Sequence, residues 1–323
     1  MKNESFSRRR FLRTATAGVV AAGLSARATA WAQQPPAKPA GLVRLGGPVF
    51  HAPKDPEELA LAHRKLGYRA AYCPGIPLDD HDRIRDVSRA FAKHDVVLAE
   101  VGRWCNLMDL DPARRAANLR NVTEGLALAE EVGARCCVDI AGSFNPKVWY
   151  GPHPKNLSKD FFDAAVENAR KIIDAVRPKR AKLSYEMMGW ALPDTPDAYL
   201  AMLRAIDRPA MAVHLDACNV VNCPARFYDT TAVVNECFDK LGQWIVSCHA
   251  KDLAWSTPVE MNVHIVEVIP GAGILDYATY LKRVAALPGE VPLMLEHLKT
   301  AEEYDQGRKY IMETGVKAGV RFE

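Results

Sequence analysis

What the chain does not contain narrows it first. Its eight cysteines include no Cys-x-x-Cys pair and no ladder of spacings, which argues against a disulfide scaffold. Cys73, Cys136, Cys137, Cys218 and Cys248 fall on or at the ends of apolar strand-like runs, where buried free thiols sit. There is no internal repeat. No glycine-rich phosphate turn follows the first strand-like run, because Leu45-Gly46-Gly47-Pro48 is a poor match. The apolar stretch Ala15 to Leu24 is shorter than the roughly 20 residues a membrane span needs, and rich in small side chains. A basic surface is missing too. Lys2, Arg8, Arg9, Arg10, Arg13 and Arg27 against Glu4 place +5 of the formal +3 in residues 1–32, leaving −2 for the rest. Nothing beyond that segment points to nucleic acid.

What is present is ordinary globular material. The 323 residues are 49% hydrophobic and 25% charged, enough for one large core. The N-terminus reads Ser7-Arg8-Arg9-Arg10-Phe11-Leu12-Arg13, then the short apolar stretch, then Ala30-Trp31-Ala32, a small-x-small cleavage signal. This order resembles a twin-arginine signal peptide, so residues 1–32 are expected to direct export, to the periplasm, through the twin-arginine machinery. That pathway moves folded proteins, which suits free thiols. Residues 33–40, with Pro35, Pro36 and Pro39, read as an extended linker, and the domain is expected to occupy residues 41–323.

From there short β-branched runs alternate with helical patterns. The strand candidates are Leu42–Val49, Ala70–Cys73, Val96–Val101, Arg135–Ile140, Ala181–Glu186, Met211–Asp216, Trp244–Ala250 and Val291–Leu295. Between them lie helical stretches such as Arg114–Val132, Asp160–Val176, Thr195–Ala205 and Ala301–Ala318. In the first of these, Leu119, Val122, Leu126 and Ala129 make one apolar face. Asp111-Pro112 and Thr195-Pro196 read as helix starts, and Gly67 and Gly133 as helix ends. Eight such units predict an α/β fold, a single-domain (β/α)₈ TIM barrel.

A barrel's active site lies at the C-terminal ends of its strands. The last four strands close on Glu186, Asp216, His249 and Glu296, each directly after an apolar run. Four such groups in one mouth repel one another unless a cation sits among them. Three carboxylates and an imidazole suit a divalent metal ion: Mn²⁺, Mg²⁺, Co²⁺ or Zn²⁺.

The order Glu, Asp, His, Glu over these strands resembles the xylose isomerase-like superfamily of barrels. That group includes the sugar isomerases and epimerases related to tagatose 3-epimerase, hydroxypyruvate isomerase and inosose dehydratase. Two further segments are similar to the family's motifs: His249-Ala250-Lys251-Asp252, and Pro270-Gly271-Ala272-Gly273 followed by Leu275-Asp276-Tyr277. The resemblance runs from about Leu42 to the end. It implies acid/base chemistry beside a metal, Mn²⁺ foremost, that stabilises an enediolate. Glu186 and Glu296 would then both bind metal and shuttle protons on opposite faces of the substrate. The chain departs from the epimerase pattern at Asn219, where a histidine often stands, and lacks a basic residue in Leu253-Ala254-Trp255.

Weaker candidates surround this set. His264, shortly before the Pro-Gly-x-Gly loop, is a candidate acid or base. Lys251 either polarises a substrate oxygen or pairs with Asp252. Asn219, His51, Glu100, Trp104 and Trp190 are candidate substrate contacts, the tryptophans by stacking on a sugar or merely by packing. His214 shares the side parity of Asp216 and reads as a supporting or barrel-core group, whereas His297 by alternation points away from the lumen. The leading expectation is an isomerase or epimerase of an unphosphorylated carbohydrate. A lyase or dehydratase acting on a 3-keto sugar or keto-inositol uses the same metal site. A non-catalytic sugar-binding barrel and hydrolysis of abasic DNA are the remaining readings. The partners called for are a small carbohydrate and the export machinery, with no nucleic acid; a homo-oligomer is left open.

Overall fold

The computed structural model describes residues 41–259 and 261–322. The expected signal segment, residues 1–32, and the linker, residues 33–40, lie outside the described residues.

Eight parallel strands close into a barrel: β1 (Arg44–Gly46), β2 (Ala70–Tyr72), β3 (Val97–Gly102), β4 (Cys136–Ile140), β5 (Lys182–Glu186), β6 (Met211–Leu215), β7 (Ile245–Ala250) and β10 (Pro292–Leu295). β10 pairs with both β1 and β7, which completes the ring. Two short strands, β8 (Asp252–Trp255) and β9 (Ile265–Val268), form an antiparallel hairpin after β7. Helices cover the outside: α1 (Pro56–Lys65), α2 (His81–Lys93), α3 (Pro112–Val132), α4 (Lys159–Val176), α5 (Pro196–Ile206), α6 (Pro224–Phe227), α7 (Thr230–Leu241), α8 (Tyr277–Ala285) and α9 (Ala301–Lys317).

Local chemistry explains the punctuation. Asp111 and Thr195 each accept hydrogen bonds from the first free amides of α3 and α5, and a proline opens both helices. Gly133 ends α3 with φ +83, a left-handed conformation that costs a residue without Cβ little. β4, β6 and β10 are buried along their whole length, as strands covered by helices outside and filled with side chains inside must be. β1 runs against β10 at a point where only glycine fits. A Cβ on Gly46 would lie 2.5 Å from both the Ala70 carbonyl oxygen and the Met294 sulfur.

The hairpin is the main element that the sequence reading did not anticipate. Its register, Asp252 opposite Val268 and Trp255 opposite Ile265, stands the segment up at the strand-end face. All eight cysteines are free thiols.

Candidate functional site

The β-strand pleat carries the site. Alternate residues of each strand face the lumen. On β5 this places Ser184 and then Glu186 inside; on β6 it is His214 and then Asp216; on β7 it is Ser247 and then His249. β10 delivers Glu296 one residue past its end. The four groups expected from the sequence therefore meet. His249 Nδ1 lies 3.0 Å from Glu296 Oε2, 3.2 Å from Glu186 Oε1 and 3.7 Å from Asp216 Oδ2. One donor atom from each of these four side chains lies within 4.8 Å of the other three.

Lys251, just past β7, reaches the same three oxygens. Its Nζ is 2.8 Å from Glu296 Oε2, 2.9 Å from Asp216 Oδ2 and 3.5 Å from Glu186 Oε1. The alternative pairing with Asp252 does not occur, because Asp252 is fully engaged elsewhere. Its carboxylate accepts hydrogen bonds from the backbone amides of Leu253, Gly271, Gly273 and Leu275. A Cβ on Gly273 would stand 2.2 Å from that carboxylate, so the loop needs glycine there. The two motifs singled out in the sequence are thus halves of one latch.

Charge and burial set the protonation of the cluster. Burial pushes the His249 imidazole down, but Glu296, Glu186 and Glu100 together carry it well above the ordinary histidine value. Burial likewise opposes the Lys251 ammonium, and Asp216, Glu186 and Glu296 hold it well above the lysine range. Asp216 is held well below the usual carboxylate range by Lys251 and His249, against its own burial. Glu186 goes the other way, since burial wins and raises it.

This donor set fits a divalent cation. Asp216 Oδ2 and Glu296 Oε2 are buried yet have no hydrogen bond of good geometry, although Lys251 stands near both. With His249 neutral as a ligand, the three carboxylates exceed the Lys251 ammonium by two charges, which a divalent cation would balance. Glu186, Asp216, His249 and Glu296 would hold the ion.

Beneath this layer lies a second polar one. Glu100 of β3 is buried in the lumen rather than at the mouth. Its Oε1 faces His249 Nε2 at 3.3 Å, and its Oε2 faces Ser247 Oγ at 3.2 Å and His214 Nδ1 at 3.3 Å. Its position on β3 is lower in the barrel than the strand-end residues, so it lies against His249 and outside the lining of the cavity above. His214 packs on His249 with ring centroids 4.0 Å apart and is neutral, pushed down to about 4 first by burial and then by His249.

Above the polar floor is a cavity of about 400 Å³. Asn219 lines it, donating to Glu186 Oε1 and to the Met187 carbonyl at 2.9 Å each. Trp104 and Trp190 line it as well. His51 does not: it is exposed after β1 and borders a separate hollow beside α1 and α9. His264 stands exposed at the foot of β9, outside the cavity lining, because the hairpin carries it outward.

The sequence reading missed His297. It lines the cavity, with Nδ1 2.8 Å from Glu267 Oε2 and Nε2 3.5 Å from Glu296 Oε1. Strand alternation would turn it away, but its φ of +60 breaks the alternation. Its imidazole is raised above the ordinary value by the hydrogen bond to Glu267. Trp149 and Tyr150, on the loop after β4, were also missed and also line the cavity.

Among solved structures, the chain is similar to a xylose isomerase-like TIM barrel protein from Mycobacterium smegmatis in complex with magnesium. The identity is 17% and the TM-score 0.59, over 87% of this chain and 98% of that one. It is similar to 3-keto-D-glucoside 4-epimerase from E. coli, with 14% identity, TM-score 0.58 and coverage of 83% and 98%. It is similar as well to a probable 3-DHS dehydratase from Bacillus anthracis, with 14% identity, TM-score 0.60 and coverage of 84% and 99%. At such identities the likeness is one of fold. No curated protein matches the sequence. The family model described as xylose isomerase-like TIM barrel matches residues 61–314. With its closed eight-stranded barrel and a carboxylate–histidine cluster at the strand ends, the chain belongs to the xylose isomerase-like TIM barrel family.

Proposed function

We propose that the protein is a divalent-cation-dependent isomerase or epimerase of an unphosphorylated carbohydrate. One observation carries this: Glu186 and Glu296 reach the His249 Nδ1 from strands on either side of it, at 3.2 and 3.0 Å, on the floor of an aromatic-walled cavity. Two carboxylates so placed are able to remove and return a proton on different sides of one carbon. The cation would supply Lewis-acid polarisation of the substrate's carbonyl and hydroxyl oxygens. Asn219 fixes the orientation of Glu186 through its hydrogen bond, and Lys251 brings the one ammonium that lines the cavity among the described residues. With no arginine and no second lysine there among the described residues, the described lining offers no cluster that recognises a phosphate. The magnesium-bound neighbour and the keto-glucoside epimerase neighbour lend support.

A second reading has its own observation. His297, paired with Glu267 at 2.8 Å, stands at the mouth as a further proton carrier beside Glu296. That suits protonation of a departing oxygen, so a keto-sugar lyase or dehydratase is the alternative. The dehydratase neighbour points the same way.

The experiment incubates Mn²⁺-loaded protein in D₂O with free ketoses and, separately, with a 3-keto-glucoside. Deuterium in recovered sugar supports the isomerase. Aglycone release or an unsaturated product supports the lyase. Neither, across a broad sugar panel with cation binding intact, rules out carbohydrate chemistry for this barrel.

The place of action belongs to the same proposal. Residues 1–32 direct export through the twin-arginine pathway, and an unphosphorylated substrate is what an enzyme outside the cytoplasm would meet.

A further inference from the structure

The cavity has two unlike halves. One is the polar floor of Glu186, Glu296, Asn219 and Lys251; the other is an aromatic wall of Trp104, Trp149, Tyr150 and Trp190. These four rings come from the loops after β3, β4 and β5, and each is 37–45% exposed. Soluble proteins seldom leave large apolar side chains gathered in a hollow without a ligand for them. The wall is also built to keep its shape. Trp190 Nε1 donates a 2.7 Å hydrogen bond to the Tyr150 carbonyl, tying two loops together. Trp149 and Tyr150 pack edge to face, centroids 5.1 Å apart at 83°.

Of the four, Trp104 stands beside the polar cluster, its ring centroid 6.5 Å from that of His249. A sugar held over the cluster has Trp104 as its neighbour, which leaves Trp149, Tyr150 and Trp190 for something else. The whole cavity is continuous and about 400 Å³, within the range of clefts that enclose drug-sized ligands and more than one six-carbon sugar fills. Among the described residues the aromatic side carries no lysine or arginine. A phosphate, carboxylate or nucleoside diphosphate would find no counter-charge there.

We infer that Trp149, Tyr150 and Trp190 form a second subsite for an uncharged ring with a broad stacking face attached to the sugar, so that the substrate is a glycoside rather than a free monosaccharide. This rests on the carbohydrate reading above. The ring is held by its face: an aryl group presents a π surface and a second pyranose presents C–H groups, and both stack on tryptophan.

Calorimetric titration of the Mn²⁺-loaded protein with methyl, phenyl and glucosyl glycosides, in the gluco and galacto series, tests the inference. The phenyl or the glucosyl compound should bind about tenfold tighter than its methyl partner, the size expected for one good stacking contact. Phenyl alone identifies an aryl aglycone, and glucosyl alone a second sugar. Trp149→Ala should erase the preference while leaving methyl glycoside and Mn²⁺ affinities unchanged, which also establishes that the variant is folded. Trp190→Phe, which keeps a ring but loses the N–H tie, should weaken the preference partly. Equal affinities in the wild type, or a preference that survives Trp149→Ala, overturn the subsite alone. If free ketoses bind and no glycoside of the panel does, this inference fails alone; if neither binds, the carbohydrate reading fails and takes this inference with it.

Discussion

Replacing Glu100 by leucine separates what the deeper polar layer does for the cation site from what it does for the fold. Glu100 Oε1 faces His249 Nε2 at 3.3 Å, while Nδ1 faces the Glu186, Asp216 and Glu296 oxygens. A carboxylate accepting from the far nitrogen fixes the ring's orientation and leaves the near nitrogen as the ligand. Loss of such a partner commonly weakens metal affinity by about 10- to 100-fold, or about 1.4–2.7 kcal/mol. The fold should suffer too. Glu100 is the buried partner of His214, His249 and Ser247, and removing one member of a buried pair leaves the others uncompensated, at a cost of about 3–5 kcal/mol. The assay is calorimetric Mn²⁺ titration of chelator-stripped protein, with thermal melts of the same samples. Glu100→Leu should show the affinity loss together with a lower Tm in the absence of metal. Glu100→Gln, which keeps an acceptor oxygen, should lose less. Unchanged Mn²⁺ affinity in Glu100→Leu would refute the reasoning.

Other predictions follow from separate parts of the chain. Asp252→Ala strips four backbone amides of their acceptor and should destabilise the fold by about 3 kcal/mol in urea titrations, loosening the loop of residues 270–275. His63 is pushed down to about 4 by burial between Tyr68 and Phe91. The unfolded chain therefore takes up this proton from pH 6.5 downward while the folded one does not until about pH 4. The stability it contributes is complete above pH 6.5 and is lost across that window, by about 3 kcal/mol. His63→Leu should flatten that part of the pH–stability curve, as read from unfolding midpoints at pH 7 and 4.5. Changing Arg8 and Arg9 together to Lys should hold the protein in the cytoplasm, and cell fractionation with undiminished extracytoplasmic yield would defeat the export assignment.

The barrel was legible because its strands are buried on both faces. Runs such as Leu183–Tyr185 and Leu293–Leu295 read as short apolar segments closed by one ionisable residue, and that residue marks the strand end. Register was less legible. Glu100 looks equivalent to Glu186 in sequence but pairs in the ladder with Cys136, as does Lys182, four residues before Glu186; it therefore sits a layer deeper. His297 escaped because one left-handed residue undoes strand parity, and nothing in Glu296-His297-Leu298 announces it. His264 lies outside the cavity lining because the segment after β7 forms a hairpin that no strong turn signal marks. The Asp252 latch joins residues about twenty positions apart, which makes it a tertiary fact from the outset. Trp149 and Tyr150 carry no carboxylate, imidazole, thiol or amine and follow no strand directly, so a search for acid/base and metal chemistry passes over them.

The central claim is that Glu186, Asp216, His249 and Glu296 hold one divalent cation between them. Elemental analysis of protein purified without chelator, for the wild type and for His249→Ala, tests it most directly. The wild type should carry about one divalent cation per chain. His249→Ala should hold less than about a tenth of that, with circular dichroism unchanged, because losing a ligand costs more than losing a supporting group. A wild-type protein free of divalent metal that takes up none from Mn²⁺, Mg²⁺, Co²⁺ or Zn²⁺ solutions, or a His249→Ala variant with full occupancy, would contradict it.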